Sequence, residues 1–257
     1  IMIKLSFTLM MIALLSACAV QEFEGERKAN PTAAARARVA IAAEYIQKNQ
    51  LELAQQHLQR AIEQDPKLPE AYNVMGVLLE KDDNFKESEQ NYRKALSLKA
   101  EYPQARHNYG VLLHRQKRYK EALAQFEMAA NDLSYERRDV SLEYVANIAL
   151  QMNDIVKAKQ HYQRLLKINP SLTTPALVLA QFAYDDKQFD EAERFYQRYL
   201  RNIGKESQSA QGLWLGIRLA KLKNDHNAMA NYEFFLKKLY PQSPEYQEYI
   251  KQFGTGT

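Results

Sequence analysis

Residues 69–102 read PEAYNVMGVLLEKDDNFKESEQNYRKALSLKAEY, and residues of the same character return 34 positions away on both sides of this stretch. From about Glu70 to Lys81, Tyr72, Met75, Gly76 and Leu79 fall at the i, i+3, i+4, i+7 spacing of an amphipathic helix. Asp82-Asp83-Asn84 ends that helix. A second helix, from about Phe85 to Leu98, aims Phe85, Ser88, Tyr92 and Ala95 back at the first. Gly76, Ser88 and Ala95 are small and Tyr92 is large, so two short helices can cross closely with one bulky ring between them.

The same template fits five further segments. The place of Gly76 is taken by Ala42, Gly110, Ala146, Ala180 and Gly216, and that of Ser88 by Ala54, Ala122, Ala158, Ala192 and Ala228. A large residue stands in the place of Tyr92 each time: Leu58, Phe126, Tyr162, Tyr196 and Tyr232. The spacing widens to 36 residues from Gly110 to Ala146 and from Ala180 to Gly216, so those two junctions carry longer loops. This is the pattern of tetratricopeptide repeats. It predicts an all-α, right-handed solenoid of about six repeats over residues 33–242, with a capping helix and tail over 243–257.

Several details follow from the template. Thr32 is placed to cap a first helix running through Tyr45. The place of Ala95 changes character along the chain, from Ala61, Ala95 and Ala129 to Leu165, Tyr199 and Phe235, which predicts wider helix pairs in the last three copies. After Pro241-Gln242-Ser243-Pro244 a final helix through about Phe253 should turn Tyr246, Tyr249 and Ile250 toward the stack as a solubilising cap.

The segment before the repeats is of another kind. Lys4 is followed by the apolar run Leu5–Leu15 and by Leu15-Ser16-Ala17-Cys18, the charged, apolar and small-residue regions of a secretory signal over residues 1–17, too short to span a bilayer. The Leu-Ser-Ala-Cys ending resembles a bacterial lipobox, which implies lipidation of Cys18 and a tether over residues 18–32. Cys18 is the chain's one cysteine. Once it is lipidated, no disulfide framework, thiolate zinc site or cysteine nucleophile is available. Removing residues 1–17 takes away Lys4 and no acid, leaving 34 basic residues against 31 acidic ones, too even a balance to indicate nucleic acid as a partner.

Catalytic patterns are missing. The chain has no Gly-rich phosphate loop, no HExxH and no GxSxG. His107 and His114 share a helix face but stand about 10 Å apart along it, too far to ligate one ion. No cofactor or small-molecule substrate is expected, and the protein should work by binding and not by catalysis.

Binding is expected on the concave surface formed by the first helix of each pair. Its candidates are Arg36, Val39, Ala43, Ile46 and Gln47 in copy one, Asn73, Val77, Glu80 and Lys81 in copy two, and His107, Val111, His114 and Arg115 in copy three. The last copies offer Leu177, Gln181, Tyr184, Leu213, Ile217 and Lys221. Val39 with Ala43, and His107 with Val111, do not supply the Lys and Asn pairs of a carboxylate clamp, so an amphipathic or apolar segment suits the groove better than a free acidic tail. Val39, Ala43 and Ile46 form an apolar strip with no preceding copy to cover it, and the partner is expected there, with His107 and Arg115 next along the groove.

Taken together, the lipobox, RHNYGVLLHRQKRYKEAL in the third copy, SLEYVANIALQMND in the fourth, QFDEAERFYQRYL in the fifth and LWLGIRLAKLKND in the sixth resemble the type IV pilus biogenesis and stability lipoprotein family over the whole chain. The resemblance implies a pilotin: an outer-membrane lipoprotein, facing the periplasm, that helps subunits of the pilus secretin reach that membrane and multimerise. Ala19, where an inner-membrane retention signal would have Asp, fits that destination. A scaffold lipoprotein of another envelope machine, for polysaccharide export or cell-wall synthesis, is the alternative.

Overall fold

The computed structural model describes residues 30–204 and 207–254, so the expected signal segment, Cys18 and most of the expected tether lie outside the described residues. Within these bounds the chain forms thirteen helices and no strand. Twelve of them form six hairpin pairs: α1 (Pro31–Gln47) with α2 (Leu51–Gln64), α3 (Pro69–Lys81) with α4 (Phe85–Leu98), α5 (Pro103–Arg115) with α6 (Tyr119–Asn131), α7 (Arg138–Gln151) with α8 (Ile155–Ile168), α9 (Thr173–Asp185) with α10 (Phe189–Ile203), and α11 (Ala210–Leu222) with α12 (His226–Leu239). The last helix, α13 (Pro244–Phe253), packs on α11. Each first helix packs on its own second helix, each second helix on the first helix that follows, and α1 also reaches α3. The result is a tetratricopeptide solenoid whose successive first helices line one side.

The small and large positions meet as the spacing requires. An added Cβ on Gly76 would lie 2.6 Å from the Tyr92 ring, on Gly110 2.9 Å from Phe126, and on Gly216 2.9 Å from Tyr232. Leu58, Tyr92, Phe126, Tyr162 and Tyr196 are all buried. Ser88 is the one polar residue at its position, and it is satisfied because its hydroxyl donates to the Gly76 carbonyl at 2.8 Å. Gly110→Leu therefore overpacks a filled contact and is expected to lose about 1–3 kcal/mol or more, read as a fall in melting temperature. An unchanged melting curve would contradict this packing.

Turn chemistry, faint in the sequence, is uniform in the structure. Asn49, Asp83, Lys117, Asn153, Lys187 and Asn224 adopt φ between 55° and 61° between the helices of their pairs. The next amide then reaches back five residues, as from Gln50 to the Tyr45 carbonyl at 2.9 Å and from Asn84 to Leu79 at 2.8 Å. This Schellman closure satisfies a helix-end carbonyl, and four of the six residues that adopt it are Asn or Asp, which tolerate the left-handed region best.

Three details depart from the sequence reading. Asn30, not Thr32, caps α1: its side chain accepts from the Ala33 amide, Pro31 occupies the first turn, and the helix continues to Gln47. Thr32 instead donates to Asp65 at 2.7 Å, tying the start of α1 to the end of α2. In copy six the left-handed residue Asn224 comes eight residues after Gly216, where every other copy has seven, because α11 continues six residues past its small residue and the other first helices five. That step leaves Phe235 39% exposed and seats Leu236 in the core in its place. In α13, Tyr246, Tyr249 and Phe253 pack with Leu213 and Trp214, while Ile250, about 100° round the helix from Tyr249, stays exposed.

Candidate functional site

The apolar strip expected to be open in copy one is closed. Val39 and Ile46 are buried in one cluster with Met75, Leu78 and Leu79 of α3, Ala43 is half-buried, and only Arg36 and Gln47 of that set are exposed. The reason is helical geometry. Val39 and Ile46 lie three residues before and four after Ala42, beside the stripe that carries the close contact, and the following first helix covers them. The same logic buries Asn73, His107, Leu177 and Leu213, each three residues before its copy's small residue. Ile217 is also buried, whereas Val77 and Val111 are half-exposed.

Many of the polar candidates join one first helix to the next. Asn108 donates to Asn73 at 3.0 Å, and His107 Nδ1 lies 2.8 Å from the Ser141 hydroxyl. Arg115 pairs with Glu80 at 2.9 Å and with Asp83 at 3.5 Å, over the Phe85 ring. His114 Nε2 lies 3.3 Å from Gln151 Oε1. His107 and His114 each meet the Tyr144 ring edge-on, at 5.8 and 5.6 Å, and Tyr144 stacks on Phe126. These bonds hold neighbouring copies in register, and they occupy side chains that the sequence offered to a partner.

Burial pushes His107 down from its ordinary 6.5 to about 4, and Arg137 adds to the effect. The folded protein thus keeps this imidazole neutral over a range in which the unfolded chain binds a proton. Its stabilising contribution is complete above pH 6.5 and is lost as pH falls from 6.5 toward 4. His161, also lowered by burial, acts in the same direction. Glu89, held at about 2 chiefly by the Arg118 hydrogen bond, affects stability only below its unfolded value of 4.5. Between pH 6.5 and 4.5 the two histidines make unfolding free energy fall with pH while Glu143, which burial raises, opposes them, and His107→Gln should remove the His107 part of that fall. Equal slopes for the two proteins would contradict the assignment.

A concave cavity is open on this face. It has a volume of about 390 Å³ and lies at the C-terminal end, where α7, α9, α11 and α13 converge. Leu150, Leu177, Val178, Phe182 and Trp214 give it apolar walls, and Gln181, Gln211, Arg218 and Glu245 bring polar atoms to it. The sequence reading named Leu177 and Gln181 but missed Phe182, Trp214 and Arg218. Trp214, the chain's one tryptophan, sits two residues before the Gly216 contact, and its aromatic bulk there was the available signal. Such a surface can hold a protein segment.

Known proteins share this architecture. Residues 149–213 match the tetratricopeptide repeat family, and residues 26–105 match the family described as tetratricopeptide repeat protein 21 C-terminal ARM domain. The type IV pilus assembly protein PilF of Pseudomonas aeruginosa is 30% identical over 205 residues, 80% of each chain. The solved structure of Pseudomonas aeruginosa PilF is similar with a TM-score of 0.76 and 32% identity, covering 86% of this chain and 99% of that one. PilW, a widely conserved type IV pilus biogenesis factor, is similar at a TM-score of 0.63 and 24% identity over 84% of this chain and 98% of its own, a likeness of fold alone.

Proposed function

The chain belongs to the family of the type IV pilus assembly protein PilF, and from that membership we propose that it is a non-catalytic outer-membrane lipoprotein which binds a subunit of the pilus secretin and promotes its assembly there. The observation that carries this reading is the likeness to PilF, which extends over 86% of this chain and 99% of that solved structure. Two features support it further. The first helices line a surface with an unfilled apolar cavity, which suits a protein segment. Lys4, the run Leu5–Leu15 and Leu15-Ser16-Ala17-Cys18 supply a route to the membrane that no described helix offers, since none is long and apolar enough to cross one.

Capture from detergent-solubilised envelopes tests the partner. A secretin should dominate the material bound by this protein, and its absence, with components of another envelope machine in its place, would overturn the reading. The anchor is tested separately. One acyl chain holds a protein to a bilayer only marginally, at about 0.8 kcal/mol per buried methylene, whereas two or more fix it. Cys18→Ser is therefore expected to move the protein from the outer-membrane fraction to the soluble periplasmic one. Wild-type protein found chiefly in the inner membrane would contradict the expected destination.

A further inference from the structure

The cavity at the C-terminal end of the groove contains an imbalance of charge. The Arg218 guanidinium lies over the Tyr184 ring at 4.6 Å and the Trp214 ring at 5.1 Å. One of its terminal nitrogens donates to Gln181 Oε1, which leaves Nε buried and without a hydrogen-bond partner. Among the described residues Arg218 enters no ion pair. The acids around it are Asp185, which accepts from Gln181 at 2.7 Å, and Glu245 at the cavity wall. Neither reaches the guanidinium. Burial pulls Arg218 below the usual arginine range despite the opposing field of Tyr184 and Asp185. The unpaired Nε is enclosed, but the guanidinium as a whole lines the cavity, and a bond to an anion there is the strongest that such a group makes.

We propose that this cavity is a subsite for a partner protein segment that presents an apolar side chain and a carboxylate side chain on one face, the apolar group entering between Leu150, Leu177, Val178 and Phe182 and the carboxylate meeting Arg218. A free inorganic anion would satisfy Arg218 but leave those four apolar walls wet. A terminal residue would carry its carboxylate and side chain on one Cα. Here the apolar walls reach back to Leu150 on α7, while the guanidinium extends from α11 to lie against Gln181 and Tyr184 of α9, and packed helices lie about 8–10 Å apart. Two residues one helical turn apart span such a gap more readily than one residue does. The proposal rests on the reading that the protein works by binding a protein segment, and it names where and by what chemistry.

Trp214 is the only tryptophan and lines this cavity, so all tryptophan emission comes from its wall. The full chain in detergent is titrated with an acetylated and amidated helical peptide carrying Leu and Glu four residues apart, and with the same peptide carrying Gln for Glu. The Glu peptide should shift the emission saturably, and the Gln peptide should bind roughly tenfold more weakly or worse. Arg218→Met, which keeps an unbranched chain over the rings, should bind both peptides equally and weakly. Equal affinities in the wild type, no change in emission, or a response that appears only with a free C-terminal carboxylate would each overturn the proposal. Secretin capture separates it from the function proposed above. A peptide response with no secretin captured by the wild type would sink that function and leave the subsite standing. Equal secretin capture by wild type and Arg218→Met would remove the subsite from the secretin interface.

Discussion

Phe126→Ala is expected to lower stability by about 3–5 kcal/mol, the range for deleting a fully buried aromatic side chain. Phe126 is 0% exposed, its ring stacks on Tyr144 at 4.4 Å between centroids, and it meets His107 edge-on at 5.5 Å. It also adjoins Gly110, whose place on α5 has no side chain to move into the space. The void therefore stays open where copies three and four join. Stability in a solenoid is a sum of copy and interface contributions, so weakening the middle should also divide the unfolding transition. Tyr232→Ala, the same position in copy six, removes a half-exposed ring and should have a smaller effect. Denaturant unfolding of both variants checks this, and a loss below about 1 kcal/mol for Phe126→Ala would contradict the packing described.

Ile46→Asp is expected to unfold copy one, with a loss of roughly 3 kcal/mol or more, because it places a charge without a partner in an apolar cluster. Ile46 is 5% exposed and is packed with Leu78 and Leu79. Val39→Asp should behave alike. Exposed Arg36 is the control, and its replacement by alanine should stay within about 0.5 kcal/mol. Helicity and melting temperature decide the matter: wild-type values for Ile46→Asp would mean that the strip is open after all. A loss of secretin assembly in the Ile46 variant would follow from unfolding and could not be counted as a contact with the partner.

The fold was legible because its information is repeated. The Gly76–Tyr92 contact recurs in six copies, so the helix pairs, their order and the longer loops after copies three and five could be read from spacing alone. Where one copy broke the register, spacing misled: the extra residue in α11 exchanges Phe235 for Leu236, and nothing near it in the sequence marks the step. The site was less legible. A first helix has one stripe for its own partner helix, an adjoining stripe for the next copy, and a third for the groove, and all three accept apolar residues. Val39 and Ile46 belong to the second, although the sequence places them beside the third. Arg218 was invisible for a related reason, since its meaning depends on Tyr184 and Gln181 of another copy.

The central claim is that this protein promotes assembly of the pilus secretin at the outer membrane. It is tested most directly by measuring secretin multimers in outer-membrane fractions of cells with and without the protein. The account predicts that multimers disappear in its absence while the monomer persists, and that wild-type protein restores them. Multimers unchanged in amount and location without the protein would contradict it.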